Sequence, residues 1–350
     1  METIDNIFII VRNLISGVLV DNLLIPSWIS ETIVTVLGIV VLLLFMVVTV
    51  LYQTLAERKV VGFVQDRYGP NRVGPWGLLQ AIADAVKLLT KEDIIPTASD
   101  KILFQLAPFV MLTAALVVYA VVPFGNGMVL ADVNIGMLYL IAMSSLATIG
   151  VLMAGWASNN KYSLLGAMRG VAQMVSYEIP LVLSIIGVIM LTGSLQMSQI
   201  VGSQAGLWFI VWQPLGFIVY FISAIAEINR CPFDLPESES ELIAGYHTEY
   251  TGMRFALFFL AEYINAFTVS AVATTLFFGG WQGPILPGFI WFLIKTWAVF
   301  WVLLWIRDTL PRVRVDHLMG FAWKVMIPLA LLNIFITAGL LVPWFQSLAK

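Results

Sequence analysis

Residues 31–55, ETIVTVLGIVVLLLFMVVTVLYQTL, carry one charged side chain, Glu31 at the very start, and charge returns only in the AERK of Ala56 to Lys59. At 1.5 Å of rise per residue, a helix of this length reaches about 37 Å, enough to cross a hydrocarbon layer about 30 Å thick. The same pattern recurs down the chain. Apolar runs near 102–122, 136–155, 172–192, 207–228, 254–278, 288–306 and 323–343 have spanning length, so the sequence predicts about eight transmembrane helices.

Composition agrees. Of the 350 residues, 60% are hydrophobic and 11% charged, and the mean hydropathy of +0.93 exceeds that of a soluble domain. The expected fold is all-α and polytopic, a single membrane domain over 1–350 with long charged loops. Residues 7–25 are apolar but interrupted by Arg12 and Asp21, which predicts an interfacial N-terminal helix. Glu2 and Asp5 stand where a cleaved leader would carry Lys or Arg, so the first span is expected to act as its own address.

Loop charge sets the expected orientation. Fifteen of the 18 Lys and Arg fall at or between alternate span ends, and only Arg12, Lys295 and Lys350 lie elsewhere. That asymmetry predicts cytoplasmic charged loops and both termini on the outer side. Within the first charged loop, Leu78, Leu79, Ile82, Val86 and Leu89 recur opposite Gln80, Asp84, Lys87 and Lys91, which predicts a short amphipathic helix at the membrane surface.

Some chemistries are excluded early. A lone cysteine, Cys231, rules out an internal disulfide and a four-thiolate iron–sulfur site, and His247 and His317 fall in polar loops, away from any paired haem ligation inside the spans. No P-loop, dinucleotide-binding glycine fingerprint, nucleophile elbow or metal-ligand cluster is present.

Charge inside spans is the strongest functional signal, because an acid near the bilayer centre costs roughly 2.5–3.5 kcal/mol. Glu57, Glu178, Glu227 and Glu262 qualify by position, all on the expected inner side, the deepest about 12 Å from its helix end at 1.5 Å per residue. Together they predict a lateral row of acids able to hold and pass protons. The alternative is that each acid pairs with a basic neighbour and only fastens helices. Pro180 leaves the Ser176 carbonyl without its helical partner, which points to a hydrated pocket beside Glu178. Lys295, well inside a span, needs a partner or must reach outward to water.

One loop stands apart. CPFDLPESESELIAGYHTEYTG, Cys231 to Gly252, carries Asp234, Glu237, Glu239, Glu241 and Glu249 with no Lys or Arg, interleaved with Phe233, Leu235, Leu242, Ile243, Tyr246 and Tyr250. A freely solvated acidic face would not alternate with so many apolar side chains, so the loop is expected to be partly buried.

Four motifs carry a resemblance: AERKVVGFVQDRYGPNRVGP (Ala56 to Pro75), ADAVKLLTKED (Ala83 to Asp93), GWASNNKYSLLGAMRGVAQMVSYEIP (Gly155 to Pro180) and EINRCPFDLPESESELIAGYHTEYTG (Glu227 to Gly252). Through them the chain resembles the H-subunit family of bacterial NADH-quinone oxidoreductase, respiratory complex I, whose mitochondrial counterpart is NADH dehydrogenase subunit 1. The resemblance implies a membrane subunit in a bacterial cell membrane, placed where the peripheral arm docks. Its partners would be the iron–sulfur and quinone-site subunits and other membrane-arm subunits. No cofactor is implied in this chain: quinone, ubiquinone or menaquinone, would be the substrate, with FMN and iron–sulfur clusters in partner subunits. Carried over by motif, Glu57, Arg58, Arg67, Asp84, Phe259, Tyr263 and Arg307 correspond to a quinone tunnel. Glu178, Glu227, Glu249 and Glu262, with Asp234, Glu237, Glu239 and Glu241 of the acidic loop, correspond to a proton path. The tested consequence would be that replacing Glu237 or Glu241 with Gln lowers coupled turnover. Two other readings remain at this stage: the membrane subunit of an energy-converting hydrogenase, and a stand-alone secondary transporter, which also uses buried acids and broken helices.

Overall fold

The computed structural model describes residues 7–17, 20–21 and 26–341. The expected ends of residues 7–25 and of the last span, and both chain termini, fall partly or wholly outside the described residues. Among the described residues there is no strand, and seven helices are long and apolar enough to cross a membrane. These are α2 (Ser27–Val64), α4 (Lys101–Ala120), α5 (Gly136–Ala157), α6 (Lys161–Thr192), α8 (Gly252–Phe277), α9 (Gly288–Thr309) and α10 (Val315–Gly339). A shorter apolar helix, α7 (Pro214–Glu227), lies between α6 and α8. Before α2 stands α1 (Ile7–Gly17), packed against α2, and between α2 and α4 stands α3 (Gln80–Thr90).

The loops at one end of the bundle are tied to each other. Asp100 N–H donates to Ala157 O at 3.1 Å, Val313 N–H to Pro232 O at 3.0 Å, and Asn159 Nδ2 to Ala98 O at 3.0 Å. At the other end, Met137 N–H donates to Leu195 O and Gln196 Nε2 to Asp132, at 2.9 and 2.7 Å. The first set is the charged end; successive apolar helices, the shorter α7 included, run in alternate directions between the two.

Lipid tails are as apolar as leucine, so such helices associate through close packing and interhelical hydrogen bonds, not through burial from water. Both are present. Gly150 lets Met111 of α4 approach the α5 backbone, where an added Cβ would lie 3.0 Å from the Met111 Cβ. Buried tyrosines donate across helices: Tyr119 Oη to Ile264 O, Tyr177 Oη to Leu318 O and Tyr220 Oη to Val269 O, at 3.0, 2.9 and 3.1 Å. Each such bond contributes on the order of 0.6 kcal/mol in a bilayer.

Two helices run well past the apolar runs that announced them. α2 continues through AERK to Val64, and α6 begins at Lys161, eleven residues before the apolar run at 172. The early turns of α6 have a tertiary reason: Gly166 and Gly170 sit directly under Pro236 and Gly245 of the acidic loop. Gly245 has φ +59°, and a Cβ there would collide with the Pro236 carbonyl, so only glycine serves. As a result Glu178 lies about 25 Å along α6 from its first residue, about twice the expected distance from the helix end.

Candidate functional site

Arg230 is the hub of the site. It follows α7 directly, is 3% exposed, and reaches carboxylates from two other helices. Its Nη1 lies 3.1 Å from Glu57 Oε2 of α2, its Nε 2.8 Å from Glu262 Oε1 of α8, and its guanidinium 4.4 Å from the Tyr263 ring centre. Glu57 also accepts a hydrogen bond from Tyr263 Oη at 2.7 Å and is ion-paired with Arg307 of α9. Two acids and two arginines therefore balance, which is the condition for keeping charges out of water. Glu57 and Glu262 thus each have a cationic partner, Arg230 for both and Arg307 for Glu57 as well.

Glu178 and Glu227 are different. Glu227 closes α7, lies within electrostatic reach of Glu178 on α6, and has the Ser144 hydroxyl of α5 beside it. Neither has an ion-pair partner among the described residues.

Six of the seven expected tunnel residues divide between two neighbouring places, and Arg67 stands apart. Glu57, Tyr263, Phe259 and Arg307 gather around the hub, with the Phe259 and Tyr263 rings 4.6 Å apart. Arg58 pairs with Asp84 on α3, where Gln80 also donates to Asp84 at 3.2 Å and Lys87 lies 3.9 Å away. α3 packs against both α2 and α8, so these two groups share one corner. Arg67 is exposed and donates to Gln65 at 2.8 Å, away from the hub. The Ile82, Val86 and Leu89 side chains of α3 are exposed, an apolar face that this chain leaves uncovered.

The acidic loop folds into the bundle. Phe233, Leu235, Leu242, Tyr246 and Tyr250 are buried, whereas Ile243, expected among them, is 61% exposed with φ +66°. Gln173 of α6 satisfies the buried backbone by donating to Ala226 O and Phe233 O at 2.7 and 2.6 Å. The loop holds no Lys or Arg, but cations come to it. Arg312 meets Asp234 at 3.0 Å, Arg169 meets Glu241 at 2.6 Å, and Asn160 Nδ2 donates to Glu249 at 2.7 Å. Burial pushes the Asp234 carboxyl above its ordinary range, and the Arg312 guanidinium opposes that shift. Glu237 faces His247 Nδ1 at 3.6 Å; burial pushes His247 down to about 4, so at neutral pH the imidazole there is uncharged. The Glu239 side chain lies outside the described residues.

Two features had no signal in the sequence that singled them out as site residues, and a third, Lys295, was visible without its partners. Arg230 was legible only as a basic group flanking the loop. Gln53, one helical turn before Glu57 on α2, is fully buried with neither side-chain polar atom partnered. Lys295 meets no carboxylate and instead reaches towards the end opposite the charged loops: its ammonium donates to the carbonyls of Phe278, Gly280 and Gln282, between α8 and α9, at 2.7, 3.1 and 2.6 Å, 4.5 Å from the Trp208 ring centre. No group of three or more His, Cys, Asp or Glu side chains able to hold a metal occurs among the described residues.

The profile of the NADH dehydrogenase family matches residues 37–338. The chain is 57% identical over 300 residues to the H subunit of NADH-quinone oxidoreductase from Dehalococcoides mccartyi (strain ATCC BAA-2266 / KCTC 15142 / 195), covering 86% of this chain and 85% of that one. It is 55% identical over 320 residues to the corresponding chain of Geobacillus sp. (strain WCH70), at 89% and 95% coverage. With that of Bacillus cytotoxicus (strain DSM 22905 / CIP 110041 / 391-98 / NVH 391-98) it shares 57% over 308 residues, 86% of this chain and 92% of the other.

Proposed function

The chain belongs to the NADH dehydrogenase family, as a membrane subunit of NADH-quinone oxidoreductase, and from that premise we propose a division of labour among its buried acids. Quinone enters from the bilayer beside the corner formed by α2, α3 and α8 and is reduced by a cluster held in a partner subunit docked on the charged end. Reduction to quinol takes two electrons from that cluster and two protons. FMN and the iron–sulfur centres belong to the partners. The charged end faces the cytoplasm of a bacterial cell, and the chain termini face outward.

In this reading Glu57 and Glu262 stay ionised, because Arg230 and Arg307 neutralise them in place. They hold α2, α8, α9 and the loop in register around the quinone route, and Tyr263 and Phe259 line it. Glu178 and Glu227 exchange protons. The observation that carries the reading is this unequal supply of cations within one set of buried and half-buried acids. At an effective dielectric of about 20, unit charges 8 Å apart interact by roughly 2 kcal/mol, enough to move a neighbouring acid's proton affinity by more than tenfold. A charge change at the quinone head is thereby felt by Asp234, Glu237 and Glu241 in the loop and by the unpaired acids beyond Arg230, where the proton-conducting axis begins.

The test separates electron entry from coupling. E178Q and E227Q complexes should oxidise NADH with an artificial acceptor at the normal rate while losing quinone-dependent turnover and proton pumping. Normal pumping in both variants would refute the assignment.

A further inference from the structure

At the end of the bundle opposite the charged loops, a cavity of about 240 Å³ opens between α2, the segment following α4 and the start of α9. Phe45, Tyr119, Phe124, Phe289 and Leu293 line it, and its walls are almost wholly apolar. A second cavity of about 140 Å³ continues from it, sharing Gly38, Val41, Val129 and Leu130. Arg12 of α1 and Thr35 line this second space. Arg12 has no ion-pair or hydrogen-bond partner among the described residues, and it stands apart from the basic groups of the charged end. The two cavities together form a largely apolar slot, and at its mouth stands the Arg12 guanidinium, which has no partner among the described residues.

We propose that this slot is a binding site for an anionic phospholipid of the leaflet opposite the charged loops, one acyl chain in the apolar cavity and the headgroup phosphate on Arg12. Water is a poor occupant of the inner space, because an apolar cavity offers it no hydrogen-bond partners. An unfilled one would forfeit the dispersion contacts of every side chain around it. Acyl chains are the apolar material at hand in a bilayer, and they match leucine and phenylalanine walls. The guanidinium at the mouth supplies charge complementarity and a planar set of donors suited to phosphate. The site is separate from the acid clusters and does not depend on the division of labour proposed for them.

The test uses the assembled complex in nanodiscs of mixed phosphatidylglycerol and phosphatidylcholine, extracted gently, with retained lipids counted by mass spectrometry. The wild type should retain phosphatidylglycerol in preference to phosphatidylcholine. R12Q, at an exposed position that does not threaten folding, should lose about fivefold of that preference. L42W, which fills the inner cavity, should release the retained lipid whatever its headgroup. Unchanged selectivity in R12Q together with unchanged retention in L42W would overturn the proposal. So would release of quinone by L42W with phospholipid retention unaffected, since the slot would then hold an isoprenoid tail.

Discussion

Glu57 and Glu262 reach Arg230 from two different helices, and Arg307 and Tyr263 complete the cage; Glu178 and Glu227, also in apolar helices, have each other and the Ser144 hydroxyl. The difference lies in geometry, not residue type. A carboxylate fixed between two guanidiniums is held in one protonation state, and its removal is felt as lost structure. A carboxylate facing another carboxylate has no fixed state, and its removal is felt as lost proton exchange. In the division of labour proposed for them, the first pair fastens helices and the second exchanges protons.

R230M puts this contrast under the most stress. It strands Glu262 and leaves Glu57 with Arg307 alone, and uncompensated buried charge costs about 3–5 kcal/mol, so the chain should be largely missing from assembled complex on native gels. Normal assembly would mean that the cage is not structural. Next in size, E178Q and E227Q should assemble fully yet lose quinone-linked turnover by roughly tenfold or more, the scale of a lost coupling near 2 kcal/mol. Assembly defects in these variants would erase the contrast with Arg230.

A pH effect follows from His247, which burial lowers from its ordinary 6.5 to about 4. A base with a depressed value resists protonation in the fold, so between about pH 6.5 and 4 the unfolded chain binds more protons. Thermal stability of the complex should fall as pH drops through that window and be insensitive to His247 above it. H247Q should flatten that acid slope, and an unchanged slope would place its cause elsewhere. Smallest of all is E241Q. Its partner Arg169 and the carboxylate are both partly exposed, so stability should move by less than about 1 kcal/mol in a melting experiment. Any fall in coupled turnover is then electrostatic in origin.

The membrane fold was legible because apolar runs of spanning length, repeated along one chain, have no solvent but a bilayer that suits them. Helix ends were not, since α2 and α6 continue past the apolar runs into segments fastened by tertiary contacts such as Gly166 under Pro236. The candidate acids were visible for the same reason the spans were: charge is rare and costly there. Their partners were hidden. Arg230 and Glu57 stand 173 residues apart, and no local spacing announces their meeting. Lys295 was ambiguous because its partners are backbone carbonyls, which leave no mark in a sequence. Ile243 misled because alternation assigns a face only where the backbone is regular, and here it turns to positive φ.

If protons move on Glu178 and Glu227 while Glu57 and Glu262 keep theirs off, infrared difference spectra of the complex on quinone reduction read it directly, through the carbonyl stretch of protonated carboxyl groups. The predicted result is a redox-linked carboxyl band that vanishes in E178Q or E227Q. A band that survives in both variants and is lost instead in E57Q or E262Q would contradict the division.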